Sequence, residues 1–147
     1  MIAIDTNILV YAHRRDSEFH SRAVTSIRSL AEGSIPWAIP WPCLHEFVAI
    51  ATHPRIFSPP TSLDAALKQI EYWMESPSLM LLAESTGYWG TLRQTLSKCR
   101  VAGPQVHDAR IAALCIDHGV KTLWSADRDF SRFTSLHVVN PLHAPAT

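Results

Sequence analysis

Four carboxylates stand where an enzyme could use them. Asp5 closes a short apolar run, Ile2-Ala3-Ile4, and Asp127 closes another in Leu123-Trp124-Ser125-Ala126-Asp127. Asp108 opens an apolar pattern in Val106-His107-Asp108-Ala109-Arg110, and Glu46 sits among Leu44, Phe47, Val48 and Ile50. Carboxylates gathered in one place repel, and their pKa values rise unless a cation neutralises them. A ligand set of Asp and Glu without paired Cys or His suits a hard ion, Mg²⁺ or Mn²⁺. Such an ion lowers the pKa of water and shields charge on a phosphorus transition state, which is the chemistry of phosphoester hydrolysis. Each acid also has a plain structural use. Asp5 fits a helix N-cap, Asp108 a helix-start charge favoured by the dipole, Asp127 and Asp129 turn positions, and Glu46 a solvated helix face.

These residues meet only if the chain gathers its strand ends. Apolar runs at 1–4, 35–39, 79–83, 122–124 and 136–139 read as short strands, and Pro36 makes the second one short or an edge. Between them lie helix patterns at 8–15, 20–31, 43–52, 62–75, 88–99 and 109–119. The inward stripe expected for 20–31 is Ala23, Ile27, Leu30 and Ala31. The stripe expected for 62–75 is Leu63, Leu67, Ile70 and Met74. Strands alternating with helices predict an α/β fold, a mostly parallel sheet of about five strands with helices on both faces. Ligands of such sheets bind beyond the carboxyl ends of the strands. Asp5 and Asp127 share that edge if their strands are parallel neighbours. A helix running antiparallel to its following strand for its full length is expected to start away from that edge, so the loop around Gly103-Pro104 must deliver Asp108.

The composition narrows the classes. The chain has 147 residues, 47% hydrophobic and 18% charged, with thirteen basic residues balancing thirteen acidic ones. Disorder and a strongly basic nucleic-acid coat are excluded. No apolar run approaches the roughly 18 residues of a membrane span, and the N-terminus does not read as a signal peptide. Three cysteines without a CxxC suit a reducing cytosol, so the expected location is cytoplasmic. One domain over 1–147 is expected, with 141–147 as a loose tail. The eight histidines show no zinc spacing. Asn7 stands where a DxD phosphatase needs an acid, and no Gly-rich phosphate cradle is present.

Taken in order, these motifs resemble a known family. Ile2-Ala3-Ile4-Asp5-Thr6-Asn7-Ile8-Leu9 resembles the opening of PIN-domain ribonucleases. Glu46 resembles that family's second acid, His107-Asp108-Ala109 with Ala112-Ala113 its third, and Ser125-Ala126-Asp127-Arg128-Asp129-Phe130 its fourth. Small size, Pro54-Arg55 and the stretch from Trp73 to Leu82 are similar to the VapC-type toxins of bacterial toxin–antitoxin pairs. The resemblance implies a PIN-like three-layer α/β/α sandwich and a metal-dependent endoribonuclease. It implies Mg²⁺ or Mn²⁺ held by Asp5, Glu46, Asp108 and Asp127, with Asp129 accessory, and metal-activated water cutting structured RNA, transfer or ribosomal. Thr6 and Ser125 would orient carboxylates, and Asn7 would brace the Asp5 turn. A VapB-type antitoxin and a homodimer are implied partners, as a heterotetramer or larger, with no membrane.

Ten of the thirteen basic residues are Arg, which forks well onto phosphate. Arg14, Arg15, Arg128 and Arg132 are the RNA-contact candidates. Trp37, Trp41 and Trp89 offer stacking faces, though core or interface packing suits each better. An antitoxin groove is expected around Ile8, Tyr11 and Phe19. The alternative function is a non-catalytic PIN-like module that binds RNA or protein, in which the acids are structural.

Overall fold

The computed structural model describes residues 1–143. Twelve elements follow one another. β1 (Ile2–Ile4) leads into α1 (Thr6–His13) and α2 (His20–Ala31), then β2 (Trp37–Pro40), α3 (Trp41–Ala51) and α4 (Leu63–Met74). β3 (Leu79–Leu82), α5 (Tyr88–Lys98), α6 (Gln105–Asp117), β4 (Thr122–Trp124), a 3-10 turn (Arg128–Arg132) and β5 (His137–Val139) complete it. The sheet is five-stranded and parallel at every pairing, in the order β3-β2-β1-β4-β5. Right-handed crossovers place α1 to α4 on one face and α5 with α6 on the other. α1 packs on α2 and α3, α3 on α4, and α5 on α6. This is the expected three-layer α/β/α sandwich.

The strands are short, and the inner ones are buried on both faces, so their apolar side chains point both ways. Ala3, Ile4, Trp37, Ala38, Ile39 and Leu123 are fully buried. β2 is an interior strand, so Pro36 makes it short but not an edge. Pro36 lies just before it and Pro40 at its last position, which leaves the amides of Trp37 to Ile39 for the ladder. Its start is pinned by the Trp37 amide on the Ser78 carbonyl at 3.1 Å and by Trp37 Nε1 on Ser76 Oγ at 3.1 Å.

α4 buries a different face from the one the leucine spacing suggests. Ala66 and Trp73 are buried and Ile70 half-buried, whereas Leu63 is 59% and Leu67 46% exposed. The small Ala66 admits close approach to the layer beneath, and Trp73 meets Phe47 edge-on with centroids 4.9 Å apart. Leu30 and Ala31 of α2 are half-buried against the core, as their stripe requires.

Of the tail expected over 141–147, residues 144–147 lie outside the described ones. Leu142 is buried, and Arg22 Nη1 donates to its carbonyl at 2.6 Å.

Candidate active site

The chain steps from β1 to β2 to β3 in one direction and then returns to add β4 and β5 on the other side. The reversal opens a crevice beyond the carboxyl ends of β1 and β4, the position where open parallel sheets bind ligands. Asp5 follows β1 directly, and its amide donates to the Trp124 carbonyl at 3.0 Å, joining the two strand ends. Asp127 lies three residues past β4. α3 begins without a loop after Pro40, which sets Glu46 in its second turn near the same edge. Asp5, Glu46, Asp108 and Asp127 line one pocket of about 360 Å³.

Asp108 reaches the pocket by a route contrary to the expectation. A crossover helix that feeds a parallel strand ends near that strand's beginning, so it starts at the opposite, carboxyl edge. α6 ends at Asp117, a few residues before β4, and its first turn carries Asp108 to the pocket. No detour by Gly103-Pro104 is needed.

The structural and chemical uses of the acids coincide. Asp5 caps α1, its Oδ1 accepting from the Thr6 amide at 2.8 Å. Its Oδ2 accepts from Ser125 Oγ at 2.7 Å, and the Cys43 thiol approaches Oδ1 at 3.7 Å. Asp127 caps the 3-10 turn through the Asp129 amide at 2.9 Å, while its own amide donates to Ser125 Oγ at 3.0 Å. Ser125 therefore links the two acids. Thr6 Oγ1 donates to Glu46 Oε2 at 2.7 Å. Asn7 Oδ1 accepts from the Ala126 amide at 3.2 Å, so its side chain braces the loop after β4, where the resemblance implies a brace on the Asp5 turn.

One oxygen each from Asp108, Asp127 and Asp129 lies within 4.8 Å of the others. Asp129 is exposed and outside the pocket wall, yet its carboxylate stands in this trio while those of Asp5 and Glu46 do not. Asp5 is 5% exposed, and burial pushes its pKa from 3.8 up to about 6, with Glu46 and Asp108 adding repulsion. The Asp108 carboxyl is raised by burial, then by Asp127, Asp129 and Glu46, and lowered by Arg132. An opposite charge beside such acids would favour their ionised forms, so a cation held here would offset both the burial and the repulsion. All-oxygen donors fit a hard divalent ion. Burial also drives the Cys43 thiol well above its ordinary range, so it stays protonated and able to donate to Asp5.

The arginine candidates divide. Arg15 and Arg128 are exposed and have no ion pair among the described residues. Arg132 is half-buried, and its charge lowers the Asp108 carboxyl's pKa. Arg14 is not available for phosphate: its side chain is 11% exposed and forks onto Asp16 at 2.9 and 2.6 Å. Trp37 is in the core, while Trp41 and Trp89 are 37% and 65% exposed. Ile8 is fully buried, which removes it from any groove. The reading of the sequence missed the pocket's apolar wall of Val10, Ile50, Ile56 and Phe57, which carries no local signal because tertiary packing assembles it.

Among the described residues no helix is long and apolar enough to cross a membrane. The PIN domain family matches residues 2–136. Ribonuclease VapC48 of Mycobacterium tuberculosis is 31% identical over 137 residues, 93% of this chain and 94% of that protein. Ribonuclease VapC43 of the same organism is 33% identical over 142 residues, 97% of this chain and 96% of that protein. The crystal structure of VapBC2 from Rickettsia felis, bound to a DNA fragment from its promoter, overlays with a TM-score of 0.64 at 22% identity. It covers 95% of this chain and 98% of its own. At that identity the likeness speaks for the fold.

Proposed function

This chain belongs to the PIN domain family, among its VapC-type toxins, and from that premise we propose a metal-dependent endoribonuclease that cuts structured RNA, transfer or ribosomal. The observation that carries the reading is the trio of Asp108, Asp127 and Asp129 oxygens within 4.8 Å at the edge lined by Asp5 and Glu46. Mg²⁺ or Mn²⁺ is the proposed cofactor, with Asp5, Glu46, Asp108 and Asp127 as its holders and Asp129 as an accessory. When bound, such an ion supplies water activation and neutralises charge on the phosphate.

The chain's own residues do the rest. Ser125 and the Thr6 amide hold the Asp5 carboxylate, which keeps its oxygens aimed. Thr6 Oγ1 holds Glu46 against rotation. Arg128 and Arg15 stand exposed for the flanking phosphates. The charge of Arg132 offsets part of the repulsion at Asp108.

The proposed partners are a VapB-type antitoxin and a second copy of the chain. A cleft of about 310 Å³ between α2 and α4, with Ala12, Ile27 and Trp73 in its lining and the exposed Tyr72 beside them, is the apolar surface that supports an antitoxin segment. Tyr11 and Phe19 lie outside it. A cytoplasmic location completes the proposal.

The test is cleavage of total cellular RNA by the purified chain with Mn²⁺, against Asp108→Asn and Asp127→Asn variants that keep the wild-type melting temperature. Cutting by the wild type alone, abolished by EDTA, is the expected result. Equal cutting by folded variants would refute these acids as the site, and no cutting by the wild type would leave the non-catalytic binding module.

A further inference from the structure

The acidic pocket adjoins a second and larger cleft of about 600 Å³, and the two share Tyr11 and Asp127 in their walls. The larger cleft is built from residues that follow β4 and β5, closed on the far side by Tyr11 of α1 and by Phe19. Tyr11 and Phe19 form a tilted aromatic pair, centroids 5.2 Å apart, and both are half-buried. Val138 and Leu142 continue the apolar wall. Asn140 supplies an amide. Its Oδ1 accepts from the Leu142 amide at 3.0 Å, which fixes which end is oxygen and leaves Nδ2 as the group free to donate. No hydrogen bond among the described residues uses that Nδ2. Arg128 lines the same cleft, exposed and with no carboxylate paired to it among the described residues.

We propose that this cleft is a subsite for the nucleobase next to the scissile phosphate, in which Tyr11 and Phe19 give the base its stacking face and Asn140 Nδ2 reads an acceptor on its edge. The proposal rests on the ribonuclease reading above. Its size lies within the range of small-ligand pockets. RNA is read chiefly through splayed bases that stack on aromatic rings and hydrogen-bond on their edges, while arginine meets the phosphate. The cleft offers those three chemistries and lies against Asp127, so a strand whose phosphate sits over the acids would place one of the two bases flanking that phosphate there. Uracil and guanine carry a carbonyl, O4 or O6, where cytosine and adenine carry an amino group, so a donor meeting that position favours the first pair over the second.

The test has two readouts on the full chain. In the first, the Asn140 side-chain NMR signals are followed while each of the four ribonucleoside 5′-monophosphates is added without metal. The uridine and guanosine nucleotides are expected to move them most. In the second, the bases flanking the cuts are counted on a randomised RNA. The Asn140→Asp variant keeps an oxygen for the Leu142 amide, exchanges the donor for an acceptor and adds one negative charge, so the readout is the choice among bases and not the overall rate. Its preference at one flanking position is expected to move toward amino-bearing adenine and cytosine by about tenfold. Asn140 signals that ignore all four nucleotides would overturn the subsite, as would an unchanged flanking preference in the variant. If the wild type cuts no RNA while the signals still move, the ribonuclease reading falls, and with it the placing of the cleft beside a scissile phosphate; only base binding in the cleft stands.

Discussion

Asp5 is the residue at which chemistry and stability pull apart. Burial withholds water from its carboxylate, and the bonds from Ser125 and the Thr6 amide only partly replace it. Its pKa of about 6 stands above the ordinary 3.8, so the folded chain holds that proton more tightly than the unfolded one. Ionising it therefore costs the fold. The cost is absent well below pH 3.8, grows as pH rises toward 6 and is complete above that. It amounts to about 3 kcal/mol at about pH 7.5 and about 1 kcal/mol at about pH 4.5. Asp5→Asn removes the charge and leaves an oxygen to accept from the Thr6 amide. Urea unfolding of the cation-free variant is expected to show those gains over the wild type at the two pH values, together with loss of cleavage. Equal gains at both would disprove the account. Ser125→Ala works the other way: it strips a donor from a buried carboxylate and one acceptor from the Asp127 amide. A loss of about 2 kcal/mol in the same unfolding experiment is expected, because a hydrogen bond to a charged buried group is worth more than a neutral one.

At the scale of elements, the loop over residues 52–62 between α3 and α4 is held from outside. Arg14 donates through Nη1 to the Pro59 carbonyl at 3.0 Å and to Thr61 Oγ1 at 3.3 Å, and its guanidinium lies 4.2 Å from the centre of the Phe57 ring. His13 adds contacts to Gln69 Oε1 at 2.9 Å and Thr61 Oγ1 at 3.2 Å. Ile56 and Phe57 on this loop wall the acidic pocket. Losing two hydrogen bonds from one nitrogen, the second of them long, and a cation–π contact lowers the loop's opening cost by about 1–2 kcal/mol. Arg14→Ala is therefore expected to speed tryptic cleavage after the exposed Arg55 by roughly tenfold, while the overall melting temperature moves little. An unchanged cleavage rate would show that Arg14 does not hold the loop. Nothing in Arg14-Arg15 distinguishes a clamp from a phosphate contact, because the distinction lies in what folds over it. The same holds for α4. Leucine spacing marked an apolar stripe, but Ala66 and Trp73 fit the layer beneath and the leucines did not. Strand ends were easier to read: a short apolar run closed by an acid has one geometry in a parallel sheet, so Asp5 and Asp127 were placed by pattern alone. Asp108 was recognised as an acid at a helix start, yet its edge was misjudged, since the direction of a crossover helix follows from the strand it feeds.

Across the whole molecule, the acids come from four segments of the chain and meet only once the sheet has ordered itself as β3-β2-β1-β4-β5. An unfolded chain cannot present them together, so a cation that binds them binds the native state alone and stabilises it by mass action. At a Mn²⁺ concentration of about 100 times the dissociation constant the gain is about 2.7 kcal/mol. For a chain of this length that corresponds to a rise in melting temperature of about 5–10 °C. The linkage must also carry the Asp5 proton, because ion and proton compete for the same carboxylates. At about pH 5 the Asp5 carboxyl is largely protonated, since its pKa is about 6. The same Mn²⁺ addition is therefore expected to raise the melting temperature less at about pH 5 than at about pH 7.5, and Asp108→Asn to blunt the rise at both. Calorimetric melts of wild type and variant over a Mn²⁺ series decide it. A rise of equal size at the two pH values, or one that survives Asp108→Asn intact, would place the ion away from these acids, because a cation elsewhere on the surface feels neither their protons nor their loss.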